Sequence, residues 1–125
     1  MRLRTPVVVL LALCAACGSD SAPSNPSNPT NPFTFTISSG GIVSPKQLTV
    51  PPGTRVLFVN NHSRRHDVTS DPHPDHLDCP ELNQVGVLNA GQSRETGNLV
   101  VVRTCGFHDH DDPDNVNLRG SIIIR

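Results

Sequence analysis

The feature that most limits the fold of this chain is that no stretch shows helical periodicity over three turns. Short segments instead alternate apolar and polar side chains, as in residues 33–38 and 46–50, or run continuously apolar, as in residues 55–59. Proline and glycine turns separate them, Pro51-Pro52-Gly53 being one example. Alternation with period two predicts half-buried strands, and short strands at this spacing favour a β-sandwich. The prediction is an all-β domain.

The first 32 residues have a different composition from the rest of the chain. Residues 1–16 combine two arginines with a short apolar stretch, which is typical of a secretory signal and too short to span a bilayer. Cys17 follows in a context that resembles a bacterial lipoprotein signal, so we expect it to be acylated. Residues 17–32 are rich in Ser, Asn and Pro and predict an extended tether. We therefore expect a lipid-anchored, extracytoplasmic protein whose domain occupies residues 33–125.

Charge and motif content exclude several functions. The chain carries 10 basic and 11 acidic residues, and it has no basic excess that would favour nucleic acid. We find no nucleophile–base arrangement and no phosphate-binding loop. The sequence therefore predicts a monomeric protein that is not an enzyme.

Two cysteines remain in the domain once Cys14 leaves with the signal and Cys17 is acylated. They are Cys79 and Cys105. In an oxidising compartment such a pair can form a disulfide, provided that the Cα atoms approach within about 7 Å. The alternative is that Cys105 stays a free thiolate.

A thiolate at Cys105 gives the chain a metal-site hypothesis. Cys105 and His108 follow one apolar run, and His66 follows another about forty residues upstream. One thiolate and two imidazoles at one end of a sandwich form a trigonal site suited to copper. The two hypotheses for Cys105 exclude each other, because a bridged sulfur cannot bind as a thiolate.

With these residues placed, the chain resembles the cupredoxins, the small blue-copper β-sandwich proteins with Greek-key topology. Residues 45–60 are similar to the second and third strands of the family, and residues 90–93 to the turn before the strand that ends at the ligand cysteine. The resemblance implies one copper ion bound by His66, Cys105 and His108. It also implies one-electron transfer with a redox partner protein.

Two positions depart from the family. Leu118 stands where the usual axial methionine is expected and offers no donor atom, so His110 or a backbone carbonyl would supply any fourth contact. Cys79 lies thirteen residues after His66, a spacing similar to that of a phytocyanin disulfide cysteine. The phytocyanin partner position holds Asp109 here, which leaves Cys105 as the available partner.

The remaining histidines support two other hypotheses. His73, His76 and His110 lie in loops dense in imidazole and carboxylate, a composition that often binds divalent metals. Together with Cys79 they are candidates for additional metal ligands. The chain could then be a copper-buffering or copper-delivery module that meets a copper donor or acceptor protein. The third hypothesis is a metal-free sandwich, held by a Cys79–Cys105 bridge, that serves in protein interaction.

Overall fold

Two β-sheets account for most of the regular structure of residues 30–125, the part of the chain that the computed structural model describes. Two short 3₁₀ turns, Leu82–Gln84 and Val116–Leu118, are the helical elements of this part. The all-β prediction is confirmed. The strands are β1 (Thr34–Ile37), β2 (Val43–Ser44), β3 (Gln47–Val50), β4 (Leu57–Asn60), β5 (His66–Ser70), β6 (Gly86–Leu88), β7 (Ser93–Glu95), β8 (Arg103–Asp109) and β9 (Gly120–Ile124).

The strand order differs from a simple meander. The first sheet has the order β2-β1-β4-β7 and the second β3-β9-β8-β5-β6. The β1–β4 and β3–β9 pairs are parallel, whereas the other pairs are antiparallel. Parallel neighbours require crossover connections, and these connections carry the chain from one sheet to the other. The N-terminal end of β1 therefore lies at the same end of the sandwich as the start of β4.

Three phenylalanines form the centre of the core between the sheets. Phe35 and Phe58 come from the first sheet and Phe107 from the second, and all three are at most 1% exposed. Their ring centroids lie 4.9–5.1 Å apart, with Phe107 edge-on to the other two. Offset and edge-to-face contacts are the favoured aromatic geometries. This triad fixes the face of β8 that points inward.

Strand β8 is longer than the sequence pattern predicts, and its length determines which side chains of the predicted site face the core. The pattern places the end of the strand near Cys105, but the strand continues to Asp109. Side chains alternate between faces along a strand. Cys105, Phe107 and Asp109 thus point toward the core, while Gly106 and His108 belong to the outer face.

Some predictions concern residues outside the described part. The signal peptide 1–16, the acylation of Cys17 and most of the tether fall there. Asn31, which belongs to the predicted tether, contacts the domain, because its side chain donates a hydrogen bond to the Arg55 carbonyl at 3.0 Å. Within residues 30–125, no helix has the length and apolar character needed to cross a membrane.

Candidate metal centre

The predicted trigonal set of His66, Cys105 and His108 does not form. Cys105 is fully buried and joined to Cys79 by a disulfide, with the two Cα atoms 5.6 Å apart. The Cys105 sulfur is therefore not available to a metal as a thiolate. Of the two hypotheses for Cys105, the structure shows the disulfide.

Strand geometry also separates the three residues. Cys105 and His108 are three positions apart in β8, so their side chains leave the strand on opposite faces. His66 does lie on the inner face, but it contacts Asp109, four residues beyond Cys105. Four strand residues span about 13 Å. The three predicted ligands therefore share no common point.

His66 belongs instead to a buried hydrogen-bonded array at one end of the sandwich. We call this end the tip and the array the tip array. His66 Nδ1 donates to Asp109 Oδ2 at 2.6 Å, and His66 Nε2 lies 2.8 Å from His62 Nδ1. Asp109 Oδ1 accepts from the backbone N–H groups of Asp67 and Asp111, at 3.2 and 3.0 Å. The array borders a cavity of about 400 Å³ whose lining includes Leu118.

A second group of histidines lies on the outer face of β5 and β8, and we call it the four-histidine cluster. It consists of His73, His76, His108 and His110, and one ring nitrogen from each lies within 4.8 Å of the others. Nitrogens bound to a single ion at about 2.0–2.1 Å can be at most about 4.2 Å apart. Small side-chain adjustments would bring all four to one ion. His108 is buried, His76 half-buried, and the other two rings are exposed.

The position of His76 is fixed by its backbone. His76 has a φ of +53°, a left-handed conformation that is uncommon outside glycine. Its N–H donates to the Pro72 carbonyl at 2.7 Å, and its carbonyl accepts from Ser70 Oγ and Asn83 Nδ2, each at 2.8 Å. Ring Nδ1 donates to the Ser70 carbonyl at 2.8 Å. This last bond leaves Nε2 as the free ligand atom, and it lies 2.9 Å from His110 Nδ1.

The orientation of His108 depends on Asp71. His108 Nδ1 donates to Asp71 Oδ1 at 2.7 Å, so Nε2 carries the lone pair. Gly106 makes room for this carboxylate, because a Cβ at position 106 would collide with Asp71 Oδ2. A carboxylate that binds the far nitrogen of a ligand histidine sets its tautomer and raises its basicity. The cluster therefore has the outer support that metal-binding histidines usually have.

Comparison with known proteins identifies the fold. No family model matches the chain, and no curated protein matches it in sequence. Among solved structures, the chain is similar to a purple cupredoxin from Nitrosopumilus maritimus (19% identity, TM-score 0.54, 74% of this chain and 98% of that one). It is also similar to an oxidised plastocyanin from Dryopteris crassirhizoma (17%, 0.57, 74% and 99%). A copper-containing nitrite reductase from Thermus scotoductus matches at 22% identity and TM-score 0.55, over 76% of this chain and 22% of that one. The chain has a cupredoxin fold.

The donor set at the tip of this cupredoxin fold does not fit the copper site that the resemblance implied. That site needs a thiolate, and the residue facing His66 is the carboxylate of Asp109. Three hydrogen bonds already occupy this carboxylate, and Leu118 has no donor atom. The four-histidine cluster fits a metal better, because imidazole nitrogens suit copper, zinc and nickel.

The charge state of His73 also favours a metal. Desolvation, together with the neighbouring imidazole rings, lowers the pKa of His73 below its ordinary value. A lowered pKa keeps the ring neutral to a lower pH. Metal ligation requires neutral imidazole, so His73 is prepared for binding at neutral pH.

Replacing Asp71 by asparagine tests its role as a positioning residue. We expect Asp71→Asn to weaken Cu(II) binding by about 10–100-fold, because it removes the charged acceptor of the His108 Nδ1–H. Titration calorimetry measures the affinity, and thermal unfolding checks that the domain is intact. Asp75→Asn, at an exposed position in the same loop, is the matched control and should bind as the natural protein does. Equal affinity for the two variants would contradict the role.

Sequence reasoning names every histidine of this cluster but does not assemble it. His73, His76 and His110 are candidates for additional ligands, whereas His108 is predicted to belong to the trigonal site. The signal that could have grouped His108 with His110 is strand alternation, since the two are two positions apart and each is an odd number of residues from Cys105. Asp71 and Gly106 give no signal, because their roles depend on a contact between two distant segments.

Proposed function

We propose that this protein is an extracytoplasmic copper-binding module that buffers or delivers copper through the four-histidine cluster. The observation that carries the proposal is the convergence of four imidazoles, with two of the rings oriented by hydrogen bonds from Nδ1. Among divalent first-row metals, Cu²⁺ binds most tightly to a given nitrogen site. Among similar folds, the nitrite reductase contains copper. His73 and His110 are exposed, so an ion or a copper donor protein has access to the site.

Electron transfer is the second candidate function. The support for it is the likeness to a plastocyanin solved in an oxidised form, and this likeness concerns the fold. A copper ion in the four-histidine cluster could exchange one electron with a redox partner protein. It would do so without a thiolate ligand, because Cys105 is bridged.

An extracytoplasmic, lipid-anchored location is part of the proposal. The signal-like residues 1–16 and the lipoprotein context of Cys17 support it. The buried Cys79–Cys105 disulfide adds to this support, since disulfides persist mainly in oxidising compartments.

Copper titration with spectroscopy tests the proposed function. We expect the mature protein to bind one Cu(II) per chain with weak visible absorption and electron paramagnetic resonance couplings to several imidazole nitrogens. Competition with Zn(II) should favour copper. An intense thiolate-to-copper band would contradict the proposal and support a blue-copper site. If no stoichiometric copper binds, the metal-free interaction module is the remaining hypothesis.

Reduction of the bound ion separates the two candidates. Fast, reversible one-electron cycling with the ion retained favours electron transfer. Release of copper on reduction, or rapid transfer to a competing chelator, favours buffering or delivery.

A further inference from the structure

Three consecutive valines are exposed on the surface of the described domain. Val100, Val101 and Val102 are 55%, 49% and 67% exposed. Single exposed apolar side chains are normal on a soluble domain, whereas a run of three is a candidate interaction surface. These valines directly precede β8, and no strand of the described part covers them.

The valines lie at the end of the sandwich opposite to the tip. The backbone of Leu99, the residue before them, exchanges hydrogen bonds with Gly53 and Thr54 at 2.8 and 2.9 Å. Strand β8 then runs from Arg103 toward Asp109 at the tip. His108 lies six positions after Val102, which corresponds to about 20 Å along a strand. The valines and the four-histidine cluster thus lie far apart along the direction of the strands.

The N-terminal part of the chain leaves the domain at the same end. Asn31 donates to the Arg55 carbonyl at 3.0 Å, and Arg55 follows the turn that contacts Leu99. The carbonyl of Phe33 accepts from the N–H of Leu57 at 2.9 Å, where β4 begins. An anchor within the preceding 29 residues would therefore tether the domain by the end that carries the valines.

Two cations accompany the valines. Exposed Arg55 and Arg125 lie at the valine end, where Glu95 is the exposed acidic neighbour of Asn31. At the tip, Arg65 and Arg119 pair with Asp111 and Asp114, so charges of both signs are present there. The valine end is distinguished by exposed apolar side chains next to cations, the combination that suits a lipid surface.

We propose that Val100–Val102, with Arg55 and Arg125, form a membrane-facing surface that rests on anionic phospholipid. We call this surface the valine base. The proposal rests on the lipid anchoring proposed above and adds an orientation to it. Apolar side chains enter the headgroup boundary while nearby cations contact the lipid phosphates. The four-histidine cluster is then held away from the bilayer, where a soluble copper donor or acceptor can reach it.

Tryptophan fluorescence tests this orientation, because the chain contains no tryptophan. The full chain is produced as the lipidated protein with Val101→Trp and mixed with phosphatidylcholine–phosphatidylglycerol vesicles whose acyl chains carry bromine. We expect a blue shift and about a twofold loss of emission, since an interfacial side chain meets the brominated chains. Val116→Trp, at a 71% exposed position near the tip, is the matched control and should keep its emission.

Each other outcome overturns the valine base. Quenching of both variants indicates adsorption without orientation, and quenching of neither indicates no contact. A concentration-dependent blue shift of Val101→Trp without vesicles, with a dimer in sedimentation, assigns the surface to a second copy of the chain. Vesicle flotation distinguishes this failure from that of the anchor. If the Val101→Trp variant floats with the vesicles but its emission is not quenched, the lipid anchor is supported and the valine base is contradicted. If the variant neither floats nor shows quenching, both the anchor and the valine base are contradicted.

Discussion

The double variant His76→Ala/His108→Ala is expected to lose stoichiometric Cu(II) binding. Four-ligand structural zinc sites contribute about 10–16 kcal/mol in total, and on that scale each ligand accounts for roughly a hundredfold in affinity. Losing two imidazoles should therefore weaken binding by about four orders of magnitude. His76 and His108 are chosen because hydrogen bonds from Nδ1 fix both rings. Titration calorimetry and nitrogen couplings in the resonance spectrum measure the loss.

The variant His66→Gln is the control that separates the two metal hypotheses. His66 belongs to the tip array and not to the four-histidine cluster, so His66→Gln should keep its copper. Circular dichroism verifies that it remains folded, because Asp109 loses a buried partner. If His66→Gln loses copper while the double variant keeps it, the ion binds at the tip and the cluster proposal fails.

Removing the disulfide is expected to have the largest effect on stability. Cys79 and Cys105 are 26 residues apart, and closing a loop of that length stabilises the folded state by about 3.5 kcal/mol in the chain-entropy model. Cys79→Ala/Cys105→Ala should lower the free energy of unfolding by about that amount. Urea unfolding followed by circular dichroism measures it. A loss below about 1 kcal/mol would show that packing around residues 79 and 105 suffices without the bond.

The same variant should also weaken copper binding, by about tenfold. The loop with His73 and His76 begins at Asp71 and ends at Cys79, while His108 lies on the strand that contains Cys105. The disulfide thus connects the two segments that supply the ligands. Hydrogen bonds of Asp71 and His76 hold the loop independently, so we expect the effect to be partial. Unchanged affinity would mean that these bonds alone position the loop.

The fold followed from the sequence because its signals are local. The alternation in residues 34–37 and the turn at Pro51-Pro52-Gly53 each depend on near neighbours. The sequence did not predict β6 at Gly86–Leu88, since the segment around it is polar and its pairing with β5 is a long-range contact.

The site could be predicted only in part, because the sequence pattern ends β8 near Cys105 whereas the strand continues to Asp109. Cys105 and His108 have the spacing of two ligands on a loop, but they lie within β8, where an odd separation places them on opposite faces. Moving the end of the strand by four residues changes the residue that faces His66 from Cys105 to Asp109. Local patterns fix strand ends poorly, because propensity falls gradually while hydrogen bonding to a neighbouring strand stops at one residue.

Gly106 gives the four-histidine cluster a recognisable signature in other chains. Because any larger residue would displace the Asp71 carboxylate, a centre of this kind requires glycine two positions before His108, the first of the two downstream histidines. The pattern Asp-x-His-x-x-His upstream, with Gly-x-His-x-His downstream, describes residues 71–76 and 106–110 of this chain. Genomes searched for both halves together, instead of for Cys-x-x-His, would yield the domains that share this arrangement of histidines.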